Sequence, residues 1–279
     1  MIDLHTHTSA SDGTFAPGEL VKLAQQEGLL AVAVTDHDTT AGNAEAMQAG
    51  RELDFEVIPG VEISADSPFG SVHIVGLYVD YNDEKLEATL RELREFRDQR
   101  NRLMILRLAE LGIQITMDEL MLEAGGDLVG RPHFAALLVK KGAVTHYKEA
   151  FNKYLKAGGA AYLDKKRLPA DQAIQMIHDA GGTSVIAHPF VLRKKDQANF
   201  EQNIKYLIDR GIQGIEVYYT EHTRGEEALF ADLARRYDLV ISGGSDFHGT
   251  VKPDIRLGRG FGDMKISYDI LENIKEARA

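Results

Sequence analysis

The chain has 279 residues, 44% of them hydrophobic, a formal net charge of −11 and no cysteine. That length supports one substantial core, and the excess of acid over base argues against a long track for duplex nucleic acid, which needs many phosphates neutralised. With no thiolate to offer, the chain must hold any metal through imidazole and carboxylate, donors that suit Zn, Mn or Fe.

Met1 runs straight into a short strand at 2–4, which leaves no room for a secretory signal, and no stretch approaches the roughly 18 apolar residues of a membrane span. A cytoplasmic protein with no membrane partner is expected. A helix at 17–27, opened by Pro17 and closed by Gly28, leads to an apolar strand at 29–35. A helix at 40–49 stops at Gly50, and strands follow at 55–58, 61–64 and 72–79. Alternating strands and helices place parallel strands side by side, so the fold class is α/β, a barrel or an open doubly wound sheet.

From 83 to 112 the pattern becomes one long charged helix, with Leu86, Leu90, Leu93, Leu103, Leu106 and Leu111 as its apolar stripe. Helices at 117–124, 132–141 and 147–156 follow, with glycine joints at Gly125-Gly126 and Gly158-Gly159. The expected organisation is an α/β body at 1–99, a helical insertion at 100–165 and the second part of the body at 166–279. The body resumes with a helix at 169–180, strands at 183–187, 214–219 and 239–242, and helices at 200–210 and 225–237.

Nine metal-binding side chains, His5, His7, Asp12, His37, Glu62, His73, His188, Asp246 and His248, fall at or just after strand ends, with His73 inside a strand as the exception. Residues two apart in a strand point the same way, so His5 with His7, and Asp246 with His248, can each grip an ion from one side. Loops leaving the C-terminal rim of a (β/α) barrel converge on its mouth, which brings distant positions together. One ion seldom takes more than six donors, so a set this large implies a cluster of two or three divalent ions, the equipment of hydrolysis. Each histidine alone reads as an ordinary hydrogen-bonded residue; the constellation reverses that.

At these residues the sequence resembles the PHP family, the polymerase and histidinol phosphatase group of metal-dependent phosphoesterases. The matching segments are Asp3-Leu4-His5-Thr6-His7-Thr8, Ser11-Asp12-Gly13, Thr35-Asp36-His37-Asp38, Pro59-Gly60-Val61-Glu62, His73-Ile74-Val75-Gly76, Ala187-His188-Pro189 and Gly244-Ser245-Asp246-Phe247-His248. The resemblance implies a distorted (β/α)7 barrel of PHP type with an inserted small helical domain, and three ions at its mouth. By that likeness His5, His7 and Asp246 hold one ion, Asp12, His37 and His248 a second, His73 with His188 a third, and Glu62 bridges. Asp36 and Asp38 read as partners that orient imidazoles. Arg131-Pro132-His133-Phe134-Ala135, Phe151-Asn152-Lys153-Tyr154-Leu155 and Glu216-Val217 resemble a branch containing nucleotide 3',5'-bisphosphate phosphatases and 5'-end-trimming ribonucleases. Where such enzymes continue after His-Pro with Gly-Arg-Tyr, this chain has Phe190, Val191 and Leu192, so an arginine expected near the substrate is missing, with Arg193, Lys165 or Lys166 as replacements. A Gln-Trp pair after the insertion is likewise replaced, by Ala161-Tyr162-Leu163-Asp164-Lys165-Lys166.

The expected reaction is release of phosphate from a small phosphorylated substrate, foremost a nucleotide 3',5'-bisphosphate or monophosphate, by a hydroxide shared between two ions beside Glu62, with Asp246 in the catalytic set. His222, at the rim after strand 214–219, is a candidate phosphate binder or general acid for the leaving group. Arg131 and His133, at a helix start, are candidate phosphate ligands, with a simple cap as the bland reading. The basic runs Lys165-Lys166-Arg167 and Arg193-Lys194-Lys195 are read as loops that draw in a second phosphate or a short oligonucleotide. Alternatives are a 5'–3' exonuclease on short RNA, a histidinol phosphate or sugar phosphate phosphatase, a metal-dependent amide hydrolase, and a metal-binding regulatory module without turnover.

Overall fold

The computed structural model describes residues 1–124, 129–164 and 166–278. In chain order these form β1 (Ile2–Asp3), α1 (Pro17–Gln26), β2 (Ala31–Val34), α2 (Asn43–Leu53), β3 (Glu56–Ser67), β4 (Gly70–Leu77), α3 (Glu84–Glu110), α4 (Met117–Ala124), α5 (Arg131–Lys140) and α6 (Tyr147–Ala150). They continue with β5 (Leu168–Pro169), α7 (Ala170–Asp179), β6 (Thr183–Ile186), α8 (Phe190–Lys195), α9 (Phe200–Ile208), β7 (Gly214–Tyr219), α10 (Arg224–Arg236), β8 (Val240–Gly244) and α11 (Asp269–Glu276). A π-helical turn, Phe151–Leu155, extends α6, and a 3-10 turn, Gly249–Val251, follows β8. The joint expected at Gly125-Gly126 and the basic residue Lys165 lie outside the described residues.

The strands pair in the order β1-β2-β3-β4-β6-β7-β8, with β5 against the far end of β3. β4 is antiparallel to both β3 and β6, and the other pairs in the ring are parallel. First and last strands approach at the rim, where Leu4 N–H donates to Gly243 O at 3.1 Å and Asp246 N–H to His5 O at 2.9 Å. Gly244 permits that approach: a Cβ there would stand 2.3 Å from the Cβ of His5. The result is the distorted seven-stranded barrel the motifs imply.

Alternation along each strand sorts the core into layers. Ile2, Leu4, Ala31, Ala33, Ile58, Val75, Leu77 and Val185 fill the lumen. Their neighbours of opposite parity face outward: Val32, Val34 and Val57 pack with residues of α1 and α2, while Ile63, Ile74, Ile186 and Ile215 pack with residues of α3, α7, α9 and α10. Each such buried aliphatic side chain contributes about 1.5–3 kcal/mol relative to exposure.

A separate cluster, including Met104, Leu108, Leu120, Phe134, Leu138 and Leu155, holds the second half of α3 against α4, α5 and the π-helical turn. α3 serves both cores, since Leu86, Leu90 and Leu93 pack on the barrel layer. The boundary expected between residues 99 and 100 therefore falls inside one continuous helix.

Four local expectations are corrected. β3 is one strand, unbroken at Pro59-Gly60, because the Asn43 side chain replaces a neighbouring strand there: its Oδ1 accepts from Gly60 N–H at 3.0 Å and its Nδ2–H donates to Gly60 O at 2.8 Å. Glu62 consequently lies mid-strand rather than just after a strand's end. α2 passes through Gly50, whose missing Cβ makes room for Val57, and stops at Asp54 in a left-handed conformation. The buried stripe of α3 runs through Leu93, Arg97, Arg100, Met104 and Leu108, leaving Leu103, Leu106 and Leu111 exposed. The run Arg193-Lys194-Lys195 is the last turn of α8, a helix that shows no glycine or proline stop in the sequence, and α11 was likewise not anticipated.

Candidate metal centre

Lumen-facing rows of three strands carry ligands to the mouth. In β2 the row Ala31, Ala33 continues to His37; in β3, Ile58 is followed at even spacing by Glu62; in β4, Leu77 and Val75 lead back to His73. His188 and Asp246 leave β6 and β8 in left-handed backbone, at φ +32° and +56°. Non-glycine residues in that region cost about 1–3 kcal/mol and persist where surroundings hold them. Here His188 N–H donates to the Glu216 carboxylate at 2.6 Å and Asp246 N–H to His5 O at 2.9 Å.

Glu62 stands at the centre. Its Oε2 lies 3.3 Å from His5 Nε2, 3.3 Å from His7 Nε2 and 2.9 Å from His37 Nδ1, and its Oε1 lies 2.9 Å from His73 Nδ1 and 3.1 Å from His188 Nε2. Asp246 Oδ1 is 3.1 Å from His7 Nε2, and Asp12 Oδ1 is 3.3 Å from His248 Nε2. All nine sequence-derived ligands are thus gathered. Donor atoms of eight of them fall in overlapping groups, His7, Asp12, His37 and His248; His5, His7, Glu62 and Asp246; His37, Glu62 and His73, while His188 joins through Glu62 alone. This differs from the expected partition, because His7 and His37 each belong to two groups.

The donors fit divalent ions on their own terms. His5 Nε2, both ring nitrogens of His7, His37 Nδ1 and Glu62 Oε2 are buried without a hydrogen-bond partner. Each orphaned polar atom costs about 1–3 kcal/mol, and buried polar groups are otherwise almost always paired. Imidazole and carboxylate atoms converging in this way are a nitrogen and oxygen coordination shell.

Burial and the surrounding charges set the protonation states. Burial alone would raise Glu62, Asp12 and Asp246, but the histidines around them, with Lys252 for Asp246, hold all three well below the usual carboxylate range. Burial pushes His73 down to about 4, so it is neutral as a ligand must be. Burial also opposes charge on His5, yet the carboxylates of Glu216 and Glu62 outweigh it and raise His5 well above its ordinary value.

The chain matches the PHP domain family across residues 3–273. It belongs to that family. A "5'-3' exoribonuclease" of Haemophilus influenzae is 37% identical over 88% of this chain and 89% of its own length. A "3',5'-nucleoside bisphosphate phosphatase" of Chromobacterium violaceum is 37% identical over 88% of this chain and 87% of its own length. A solved structure from Chromobacterium violaceum, described as an amidohydrolase with bound SO4 and no metal, superposes with a TM-score of 0.85 at 35% identity, covering 99% of this chain and 96% of that one. This PHP domain is a metal-dependent phosphoric ester hydrolase.

Residues to which the sequence assigned no role support the PHP ligands. Glu216 is buried; its Oε1 lies 3.0 Å from His5 Nδ1, so it accepts that ring's proton and aims Nε2 at Glu62. Asp246 uses Oδ1 toward the histidines, while Oδ2 accepts from Tyr219 O–H at 3.0 Å and from Lys252 at 2.7 Å. Asp36 and Asp38, expected to orient imidazoles, tie together the segments around the site. Asp36 accepts from Thr8 N–H, Thr8 O–H and Ser11 O–H, which fixes the segment carrying Asp12. Asp38 accepts from Ser64 N–H and pairs with Arg97.

Two cavities meet at the ligand floor of the PHP domain. The larger, about 520 Å³, is bounded by ligands, by Glu123, Pro132, His133, Ala136 and Tyr147 of the helical region, and by Thr250, Val251 and Lys252. The smaller, about 180 Å³, shares Asp12, His37, His73 and Pro132 and is otherwise lined by Arg97, Arg100, Arg131, Arg167, Ser64 and Ser71. Arg131 lies in the smaller cavity and His133 in the larger, where its Nδ1 accepts from Gly130 N–H and so also caps α5. Arg193 and His222 are not brought to the mouth. Arg193 pairs with Glu226, and His222 is enclosed by Phe190, Tyr219 and Phe230 with its Nδ1–H on Val217 O, so an aromatic ring separates it from Asp246.

Proposed function

We propose that this protein removes the terminal phosphate of a small nucleotide that carries a second phosphate, of the nucleoside 3',5'-bisphosphate class, in the cytoplasm. The arginine-lined cavity beside the ligand floor carries this reading. Arg100 is buried, and two of its N–H groups donate to the neutral Asn101 amide oxygen; Arg131 donates to the Leu155 carbonyl at 3.4 Å. Burial first, then repulsion from Arg97, Arg131 and Arg167, lowers Arg100 to about 9. An anion placed among these guanidiniums relieves that repulsion, and the planar forks match phosphate oxygens. Lys165 and Arg193 are not needed for it, and Arg167 supplies the contribution expected from the first basic run.

Two or three divalent ions of the Mn, Zn or Fe type, held by the nine ligands with Glu62 between the groups, would lower the pKa of a water and neutralise phosphoryl oxygens. The chain's own part is to fix the donors. Glu216 keeps the His5 proton on Nδ1, Tyr219 and Lys252 hold Asp246 Oδ2, and the arginines turn the substrate so that its other phosphate meets the floor.

The test is phosphate release with added Mn²⁺ from a nucleoside 3',5'-bisphosphate, a mononucleotide, a sugar phosphate and a short 5'-phosphorylated RNA. The bisphosphate should be fastest, and Arg100→Met should raise its KM by about 10- to 100-fold, the worth of one charged hydrogen-bonding partner. Preference for monophosphates with no effect of Arg100→Met refutes the reading. The exoribonuclease name of the Haemophilus influenzae relative favours a second reading, a short RNA whose 5' end enters the same cavity; stepwise release of mononucleotides would identify it.

A further inference from the structure

We infer that the larger cavity contains a nucleobase site, formed by Tyr147 from the helical region and Val251 from the 3-10 turn after β8. This rests on the two-phosphate nucleotide reading above and extends it to the part of the substrate that carries no phosphate.

The floor of that cavity is entirely polar, whereas Pro132, Ala136, Tyr147 and Val251 form an apolar wall beside it. Tyr147 and Val251 are 46% and 47% exposed, in a chain that buries most of its large apolar side chains. Phe151 supports the Tyr147 ring from behind, with centroids 5.3 Å apart and planes inclined at 39°. The charged groups at the edge of the same cavity are already paired, Glu123 with Lys140 and Lys252 with Asp246.

The two cavities share Asp12, His37, His73 and Pro132, so they open from one floor in different directions. A substrate with its scissile phosphate on the floor and its second phosphate among the arginines must send the remainder of its sugar into the larger space. A group suited to that space has a flat apolar face and polar edges. A nucleobase has both, and every base presents a face that stacks on an aromatic ring. His133 adds an edge contact: its Nδ1 accepts from Gly130 N–H at 3.1 Å and burial keeps the ring neutral, which leaves the proton on Nε2 as a donor along the wall.

The experiment compares kcat/KM for a nucleoside 3',5'-bisphosphate with that for the same sugar bisphosphate lacking a base, in the wild-type protein, Tyr147→Ala and Tyr147→Phe, each loaded with Mn²⁺. The wild type should favour the nucleotide by about 10- to 100-fold, the size of one base–aromatic stack, expressed mainly in KM. Tyr147→Phe should keep that ratio and Tyr147→Ala should collapse it toward one. A folding or metal-loading defect scales both rates together, so a ratio that Tyr147→Ala leaves unchanged overturns the site, as does a wild type indifferent to the base. Failure of the wild type to cleave either bisphosphate, with metal bound, overturns the underlying substrate reading instead.

Discussion

Replacing Glu216 with Gln should cost metal before it costs fold. The carboxylate accepts at both oxygens, from His5 Nδ1–H at 3.0 Å and from His188 N–H at 2.6 Å. Gln offers one acceptor and one NH2 at the same place. With the NH2 toward His188 two donors confront each other in a buried site; with it toward His5 the ring must accept at Nδ1, which moves its proton to Nε2, the atom facing Glu62. Outer partners of this kind are worth about 10- to 100-fold in metal affinity, or about 1.4–2.7 kcal/mol. The assay is competition titration of chelator-stripped protein with Mn²⁺ or Zn²⁺, run beside phosphate release and thermal unfolding of the metal-free form. Glu216→Gln should show the weakened binding, with activity restored in part by excess metal. Unchanged metal Kd in a folded Glu216→Gln protein would refute the orientation argument.

Lys252→Met leaves Asp246 Oδ2 with the Tyr219 hydroxyl as its remaining partner, and metal retention should fall about tenfold on the same titration; full retention contradicts the pairing. Burial, only partly offset by hydrogen bonds from Ser245, Gly258 and His5, raises Asp3 to about 6. Its folded pKa exceeds the unfolded value, so the stability it contributes is complete below about pH 4 and is lost as pH rises through about 6. In urea unfolding with chelator, Asp3→Asn should therefore gain on the wild type across pH 4 to 6 by on the order of 3 kcal/mol, and a pH-independent difference counts against it. Gly244→Ala forces a Cβ against the His5 backbone N at 2.4 Å, where no flexible side chain can yield, and should destabilise by more than about 4 kcal/mol, read as loss of cooperative unfolding.

The ligands were legible because metal chemistry restricts residue type: imidazole and carboxylate at strand ends leave a mark that survives wide separation in the chain. The strand and helix order was legible from the same alternation that builds the lumen. Arg97 and Arg100 were not, although the march from Leu86 through Leu90 and Leu93 lands on them before Met104; a stripe sought among leucines alone drifts to the exposed Leu103 and Leu106. β3 was split because proline and glycine are usual strand breakers, and the compensating Asn43 lies 17 positions away from Gly60. Glu216 was legible only as part of a resemblance and Lys252 not at all, since each acts through a ligand that only the fold brings near. His222 follows β7 as expected, but the aromatic rings that enclose it come from α8, β7 and α10 and cannot be placed from sequence spacing.

Anomalous diffraction from Mn²⁺-loaded crystals addresses the central claim most directly. Two or three peaks should lie within coordination distance of the nine ligands, with Glu62 reaching more than one of them. A single peak that Glu62 does not touch, or density confined to surface carboxylates, would contradict a shared metal centre at the barrel mouth.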